Sequence, residues 1–64
     1  MVTINGEKVQ AHGISLADYL KQEGYDIARV AVEKNMEIVT KKDYETTILQ
    51  DGDCVEIVSF VGGG

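Results

Sequence analysis

The stretch VTINGEKV, residues 2–9, predicts a β-hairpin at the start of the chain. Residues on both sides of Asn5-Gly6 alternate in the manner of strands, and this dipeptide is the preferred pair for a two-residue type I′ turn. Such a turn needs two successive residues with positive φ, which Asn and Gly tolerate best. We therefore expect strands near residues 2–5 and 7–11.

The next segment, GISLADYLKQEG at residues 13–24, predicts the single helix. Ser15 is the expected N-cap, and Asp18, three residues on, supplies an acidic variant of the capping box. Gly24 is the expected left-handed residue that ends the helix. A helix this short depends on the packing of its apolar face for stability. That face consists of Leu16, Tyr19 and Leu20.

Strand-like segments follow the helix. ARVAVEKN at residues 28–35 alternates apolar and other residues, so Val30 and Val32 are predicted to point inward. EIV at residues 37–39 predicts a short strand. CVEIVSF at residues 54–60 predicts the last strand.

The segments between these strands are less regular. KKDYETTIL at residues 41–49 predicts irregular structure or a single helical turn, with Tyr44, Ile48 and Leu49 as its apolar contacts. DGD at residues 51–53 predicts a turn. The resulting order places one helix against a mixed sheet of four to five strands, which is an α+β architecture. Sixty-four residues without repeats or a linker predict one domain.

Size and charge exclude several classes of function. The net charge of −5, from eleven acidic and six basic residues, would repel a nucleic-acid backbone and favour a basic protein partner. A chain this short has little room for a closed catalytic pocket, so we expect no enzyme activity of its own. No apolar stretch approaches the ~20 residues of a membrane span, and the start lacks the pattern of a signal peptide. We therefore expect a cytoplasmic protein that binds neither nucleic acid nor membrane.

The candidates for chemistry in the body of the chain each have a structural interpretation. Asp51, Asp53 and Glu56 oppose ionisation of the Cys54 thiol, whereas a reactive cysteine needs an electropositive setting, so Cys54 is expected to be a packing or edge residue of a strand. His12 is the only histidine and has no second ligand type near it. The two aspartates match only a fragment of a calcium loop. We expect neither catalytic residues nor a metal site.

The ending SFVGGG, residues 59–64, is the remaining candidate. Phe60 is the only phenylalanine, and it stands with Val61 where the last strand is about to leave the domain. Apolar residues beside a free terminus suit docking into a partner's groove. Glycines lose much conformational entropy on ordering and cannot pack, so we expect a domain at residues 1–60 and a flexible tail at residues 61–64.

The three last residues, Gly62, Gly63 and Gly64, would form a thread narrow enough to pass where side chains would clash. The thread ends in an α-carboxylate, which is ionised at neutral pH because its pKa is about 3.5. A carboxylate is inert until activated, and its attack on the α-phosphate of ATP would give an acyl-adenylate. The sequence contains no ATP-binding motif, so a second protein must supply the nucleotide site.

Together these features resemble the ThiS family, the sulfur carriers of thiamine biosynthesis, which are short β-grasp (ubiquitin-like) domains ending in Gly-Gly. The resemblance runs the whole length of the chain. It rests on ING opening a hairpin, the capped helix around LADYL, the stretches VAVEKNMEIV and LQDGDCVEIV, and the ending FVGGG. The chain departs from the family at Thr40-Lys41, where Pro-Arg is frequent. This departure is expected to alter a surface loop and not the chemistry of the tail.

The resemblance implies a carrier and not an enzyme. A ThiF-like adenylating enzyme, related to ubiquitin activators, would supply ATP and Mg and adenylate Gly64. A protein persulfide from a cysteine-desulfurase pathway would convert the adenylate to a thiocarboxylate (1-thioglycine), and a ThiG-like thiazole synthase would accept the sulfur. Gly63 and Gly64 match the family's motif, with Gly64 as the bearer of sulfur. The resemblance does not supply a docking role for the residues before this motif. We infer that role for Phe60, Val61 and Gly62 from the residues alone.

Three alternatives stay open at the level of sequence. A carrier for molybdopterin synthesis shares the fold and the chemistry but has another acceptor, and that family is typically longer. A plain β-grasp interaction module would have an incidental glycine tail. A ubiquitin-like modifier would be found attached to lysines.

Overall fold

The computed structural model describes residues 1–60, and the predicted tail, residues 61–64, lies outside the described residues. The strands and the helix are, in chain order, β1 (Val2–Ile4), β2 (Glu7–Val9), α1 (Leu16–Gln22), β3 (Val30–Lys34), β4 (Glu37–Val39) and β5 (Cys54–Ser59). Short 3₁₀ turns lie at Ile27–Arg29 and Lys41–Asp43. The predicted order of elements is confirmed, and the single helical turn expected after β4 is the second 3₁₀ turn.

The five strands form one mixed sheet in the order β2-β1-β5-β3-β4. β1 and β5 are parallel, and the other neighbouring pairs are antiparallel. The last strand of the chain is therefore the central strand of the sheet, with a partner on each side. This is the α+β, β-grasp architecture that the sequence predicts.

The hairpin turn has the predicted backbone geometry. Asn5 has φ 50° and Gly6 has φ 85°, so two successive residues adopt the left-handed conformation that a type I′ turn requires. Val2 lies opposite Val9 and Ile4 lies opposite Glu7 across the two strands. The hairpin fixes the edge of the sheet and places β1 beside β5.

The helix begins and ends as predicted. The Ser15 hydroxyl oxygen accepts a hydrogen bond from the Asp18 N–H at 3.0 Å, which caps the first turn. Gly24 follows the last turn with φ 80°, a conformation that a residue with a side chain rarely adopts. The predicted apolar face, Leu16, Tyr19 and Leu20, is buried. Each such side chain contributes about 1.5–3 kcal/mol by its removal from water.

The core lies between α1 and one face of the sheet, and the opposite face of the sheet is open. The buried apolar residues are Val2, Ile4, Ala11, Leu16, Ala17, Tyr19, Leu20, Val30, Val32, Tyr44, Leu49, Val55 and Ile57. One predicted contact is wrong, because the side chain of Ile48 is 42% exposed. Ile48 pairs with Ser15 in an isolated antiparallel bridge, and alternation along this extended segment turns Leu49 inward and Ile48 outward.

Candidate functional site at the end of the last strand

Phe60, the last described residue, has a hydrogen-bonded backbone and an exposed side chain. Its N–H donates a hydrogen bond to the Arg29 carbonyl oxygen at 2.7 Å, which continues the pairing of Ser59 with Val30 by one residue. Its ring, however, is 57% exposed. Phe60 is therefore fixed to the sheet by its backbone, and its exposed ring is available for contact; the predicted docking role of Phe60 stays a prediction. Val61, Gly62, Gly63 and Gly64, the rest of the predicted site, lie outside the described residues.

Asn5 ties β5 to the hairpin by a side-chain amide that acts as an extra peptide group. Its Oδ1 accepts from the Ile57 N–H at 2.8 Å, and its Nδ2 donates to the Ile57 carbonyl oxygen at 3.1 Å. Its own N–H donates to the Val55 carbonyl oxygen at 2.9 Å. The pairing of β1 with β5 thus continues beyond the end of β1, because the Asn5 amide meets both backbone groups of Ile57.

A second asparagine secures the beginning of β5. Asn35, in the left-handed conformation with φ 53°, accepts the Cys54 N–H on its Oδ1 at 2.9 Å. Its Nδ2 donates to Asp53 Oδ1 at 3.0 Å, and the other carboxylate oxygen of Asp53 accepts the Gln50 N–H at 2.8 Å. The start of the last strand is therefore fixed to the β3–β4 turn on one side and to its own preceding loop on the other.

The charge state of Asp53 follows from these contacts. Burial, the largest single influence, raises the pKa of the carboxyl. The hydrogen bonds from Asn35 and Gln50 favour the carboxylate and lower the pKa. The positive charge of Lys34, whose Nζ lies 3.8 Å from Asp53 Oδ2, lowers the pKa further. Together the two hydrogen bonds and Lys34 outweigh the effect of burial, so the pKa of Asp53 lies below its ordinary value. The buried group is therefore a carboxylate at neutral pH.

Sequence reasoning missed these roles of Asn5, Asn35 and Asp53. Asn5 and Asp53 were assigned to turns, and no side-chain contact was predicted for any of the three. The Asn5 and Asn35 side chains bond to β5, and the Asp53 carboxylate bonds to Asn35 and to the Gln50 N–H. Asp53 is only 8% exposed, and the prediction of a turn at DGD gave no indication of this burial. The available signal was the position of two asparagines at left-handed turns, where their side chains are free to bond to a neighbouring strand.

Cys54 is placed differently from the expectation of a packing or edge residue. It is the first residue of β5, the central strand, and it is exposed on the open face of the sheet. The alternation along β5 puts Val55 into the core and leaves Cys54 outside. Glu33 and Glu56 line a surface depression together with Cys54.

The other predicted absences concern the described part of the chain only. Across residues 1–60, no group of three or more His, Cys, Asp and Glu side chains is placed to hold a metal ion. His12 is exposed in the loop before the helix. No helix within these residues has the length and apolar character needed to cross a membrane.

The Thr40-Lys41 pair lies on the surface, as expected, where a 3₁₀ turn begins after β4. The Lys41 ammonium donates to the Val30 carbonyl oxygen at 3.3 Å. Val30 is the residue that pairs with Ser59 at the end of β5. Lys41 therefore bonds to β3 at the residue that pairs with the end of β5.

β5 is fixed on both sides and along its length. It pairs with a strand on each side and bonds to two asparagine side chains, and the exposed Phe60 follows its last residue, Ser59. The candidate groups in the body, Cys54 and His12, are not brought together with a base or a ligand set.

The similarity of this chain to known proteins covers almost its whole length. The family model described as the ThiS family matches residues 2–64. A sulfur carrier protein ThiS from Thermus thermophilus is 36% identical over 64 residues, and one from Bacillus subtilis is 38% identical over 66 residues. In both cases the match covers all of this chain and all of the relative.

A second kind of relative is longer. A thiazole synthase from Paramagnetospirillum magneticum is 42% identical over 64 residues, and one from Magnetococcus marinus is 38% identical. The chain spans about a fifth of the length of these two proteins, since 98% of it matches 20% of each of them.

The fold is also similar to a solved structure. The crystal structure of a thiamine biosynthesis protein (ThiS) from Geobacter metallireducens superimposes with a TM-score of 0.77 and 31% sequence identity. The superposition covers 98% of this chain and 97% of the other. The solution structure of the Geobacter protein gives a TM-score of 0.75.

Proposed function

The chain belongs to the ThiS family, and we propose on that premise that it is a sulfur carrier protein of thiamine biosynthesis. The observation that carries the proposal is the end-to-end match to two sulfur carriers, with 36% and 38% identity over the full length of both proteins. The matched region of the family model includes the terminal glycines. The chain is then a substrate of enzymes and has no catalytic residues of its own.

The reactive group of the proposed carrier is the carboxylate of Gly64. One carboxylate oxygen attacks the α-phosphorus of ATP, pyrophosphate leaves, and an acyl-adenylate forms. A persulfide sulfur then attacks the acyl carbon and AMP leaves. Reductive cleavage of the resulting acyl disulfide by a thiol leaves the thiocarboxylate on Gly64. A ThiF-like adenylating enzyme would supply the ATP site with Mg, and a persulfide-bearing protein would supply the sulfur. Because activation consumes ATP, we propose a cytoplasmic location.

The folded body contributes to binding because the tail alone is a weak ligand. Fixing five residues costs on the order of 5–10 kcal/mol at about 1–2 kcal/mol each. Burying Phe60 and Val61 fully would return only about 3–6 kcal/mol. The backbone of Phe60 is already held by Arg29, which lowers the ordering cost at this one residue. The remaining deficit must be met by contacts between the partner enzyme and the body of the carrier.

Thiazole synthase is the proposed acceptor of the sulfur. Two proteins named thiazole synthase contain a segment similar to this entire chain within a polypeptide about five times as long. A carrier-like segment in the same polypeptide as the acceptor enzyme is expected if the two must meet repeatedly, since tethering raises their effective concentration. This observation favours thiazole synthase over a molybdopterin-pathway acceptor.

Intact-mass measurement tests the proposal directly. The full chain is incubated with ATP, the adenylating enzyme from the same genome and a sulfide donor. We expect the exchange of one oxygen for one sulfur in wild type, and no exchange after deletion of Gly64. Fragmentation of the wild-type product should place the sulfur on residue 64.

The matched control is Cys54→Ser, which removes the only thiol of the chain. Cys54 is exposed and shares a surface depression with Glu33 and Glu56, whereas a reactive cysteine needs an electropositive setting, so we expect Cys54→Ser to load sulfur as wild type does. A folded Cys54→Ser protein that gained no sulfur would move the carrier site from Gly64 to the thiol. Unimpaired loading of the chain without Gly64 would exclude the proposal.

A further inference from the structure

The open face of the sheet, opposite α1, carries a mixed apolar and acidic patch over β3, β4 and β5. We name it the open-face patch, and it consists of Ala31, Glu33, Ile38, Glu56 and Val58. The register places Ala31 opposite Val58, and Glu33 between Glu56 on one side and Ile38 on the other. All five residues are exposed. A depression of about 190 Å³ lies among them.

The apolar part of the patch lacks a cover within residues 1–60. Val58 is 56% exposed, and Ile38 is also largely exposed. Phe60 follows Val58 by two residues, and its N–H continues the pairing of β5, so alternation places its ring on the same face. Exposed apolar side chains grouped on one face, and not scattered singly, are typical of an interaction surface.

The acidic part of the patch is unfavourable in the free chain. Glu33 and Glu56 lie directly opposite each other on antiparallel strands, and like charges in this position destabilise a sheet. Neither carboxylate forms an ion pair with a lysine or arginine among residues 1–60. A cation placed between them by another molecule would relieve the repulsion and gain two charge-assisted contacts.

We propose that the open-face patch is the docking surface for thiazole synthase, with an Arg or Lys of that enzyme between Glu33 and Glu56 and an apolar side chain of it against Val58 and Ile38. The proposal rests on the proposed function. Two observations select this occupant: proteins named thiazole synthase contain a segment like this chain, and the patch lies on the strand that leads to Gly64. Gly64 lies six positions after Val58, a reach of at most about 22 Å. An enzyme seated on the patch therefore has its active site within reach of the terminus.

This arrangement predicts opposite effects on stability and on binding. Neutralising either glutamate removes the cross-strand repulsion from the free chain and removes a contact from the complex. A purely structural role would change stability alone, and a general effect of net charge would not depend on the position of the residue.

The test uses the full chain and purified thiazole synthase from the same genome. Glu33→Gln and Glu56→Gln are compared with Glu45→Gln, an exposed residue beside Tyr44, whose carbonyl oxygen bonds to the helix on the other side of the sheet. We expect the first two variants to raise the Tm by about 1–5 °C and to weaken the Kd by about tenfold. Glu45→Gln should leave the Tm unchanged and weaken the Kd by no more than about twofold. Val58→Thr, which keeps a β-branched side chain, should also weaken the Kd.

The outcomes separate this inference from the proposed function. If wild type binds thiazole synthase and the Glu33 and Glu56 variants bind no more weakly than Glu45→Gln, the docking surface is elsewhere. The same holds if the variants lose binding only to the adenylating enzyme. If wild type gains sulfur in the mass assay but does not bind thiazole synthase, the docking proposal is wrong and the carrier function stands. If wild type fails to gain sulfur, the carrier function itself is wrong.

Discussion

Asp53 is the one buried charged side chain among residues 1–60, and both of its oxygens are used. It accepts from the side chain of Asn35 and from the backbone of Gln50, immediately before the central strand begins. Every buried side-chain nitrogen and oxygen in this part of the chain has a partner. A buried charge is tolerated here because its hydrogen bonds offset the loss of water.

Asp53→Asn is expected to lower the free energy of unfolding at pH 7 by about 1–3 kcal/mol. An amide offers one acceptor oxygen where the carboxylate offers two, so its NH₂ group must face either the Gln50 N–H or the Asn35 NH₂. Urea denaturation at neutral pH measures the loss. An Asp53→Asn protein as stable as wild type would show that the carboxylate contributes nothing to holding the strand.

The same variant should have a flatter dependence of stability on pH. The pKa of Asp53 is lowered in the folded state, so its contribution is present above the unfolded pKa of about 3.9 and is lost as pH falls through the lower folded pKa. We expect wild type to lose stability on acidification more steeply than Asp53→Asn. Glu45→Gln, an exposed substitution, controls for the titration of surface carboxylates.

Gly63→Val tests the steric role predicted for the tail. A branched side chain should block entry of the terminus into a narrow active site, so sulfur loading by the adenylating enzyme should fall by at least about tenfold. The Tm should not change, because position 63 is predicted to contribute nothing to the core. Gly63→Ala, with a smaller side chain, should load at an intermediate rate. Equal rates for all three proteins would contradict the predicted thread.

At the scale of elements, β5 is held by two side-chain amides as well as by its neighbouring strands. Asn5 bonds to Ile57 in the middle of the strand, and Asn35 bonds to Cys54 at its start. Both asparagines have positive φ at a turn, where the chain reverses and the side chain lies beside β5. The two turns of the sheet therefore also align the strand that presents the terminus.

Replacement of Asn5 separates these bonds from the turn conformation. Asn5→Gly keeps the positive φ accessible but loses both bonds to Ile57, so we expect a loss of about 1–3 kcal/mol in the free energy of unfolding. Asn5→Asp can still accept from the Ile57 N–H, but its second oxygen faces the Ile57 carbonyl.

The Asn5→Asp protein should therefore regain stability on acidification, relative to Asn5→Gly, when the protonated carboxyl can donate. Denaturation of both variants at neutral and acidic pH measures this difference. If the relative stability of the two variants did not change with pH, the amide would not be acting as a donor to β5.

The elements could be predicted because each rests on a local signal. Asn5-Gly6 fixes the hairpin turn, Ser15 caps the helix, and alternation predicts that Val30 and Val32 are buried. The central position of β5 could not be derived from periodicity, because strand order depends on contacts between residues far apart in sequence. It came with the resemblance to a β-grasp family.

The side-chain contacts of the site were harder to predict for a related reason. The bond from Asn5 to Ile57 joins residues 52 positions apart, and no local pattern indicates it. The exposure of Ile48 depends on its bridge to Ser15, which is also a contact between distant residues. Phe60 was predicted as a docking residue at the end of the last strand; its ring is exposed, and the docking role stays a prediction.

At the scale of the whole molecule, charge adds to what the open-face patch provides. The chain has a net charge of −5 in only 64 residues, so its field extends beyond its surface at low ionic strength. A complementary, basic enzyme would be attracted before any contact forms. Such long-range attraction raises the association rate more than it slows dissociation.

The rate of association with the adenylating enzyme should therefore fall steeply with salt. The Debye length shrinks from about 30 Å at 0.01 M to about 8 Å at 0.15 M ionic strength, so steering is largely screened at the higher value. We expect the association rate constant, measured by stopped flow, to fall by about tenfold over this range, with a much smaller change in the dissociation rate constant.

Two neighbouring substitutions show whether net charge is the cause. Lys42→Gln makes the chain one unit more negative, and Glu45→Gln makes it one unit less negative, and both residues are exposed in the same surface segment. Steering by the whole field predicts faster association for Lys42→Gln and slower association for Glu45→Gln, and the difference should vanish at high salt because screening removes the field but not the contacts. Two outcomes would contradict steering: both variants associate at the wild-type rate at 0.01 M salt, or salt changes only the dissociation rate constant. The net charge of this carrier would then act only through contacts in the bound complex and would not speed association.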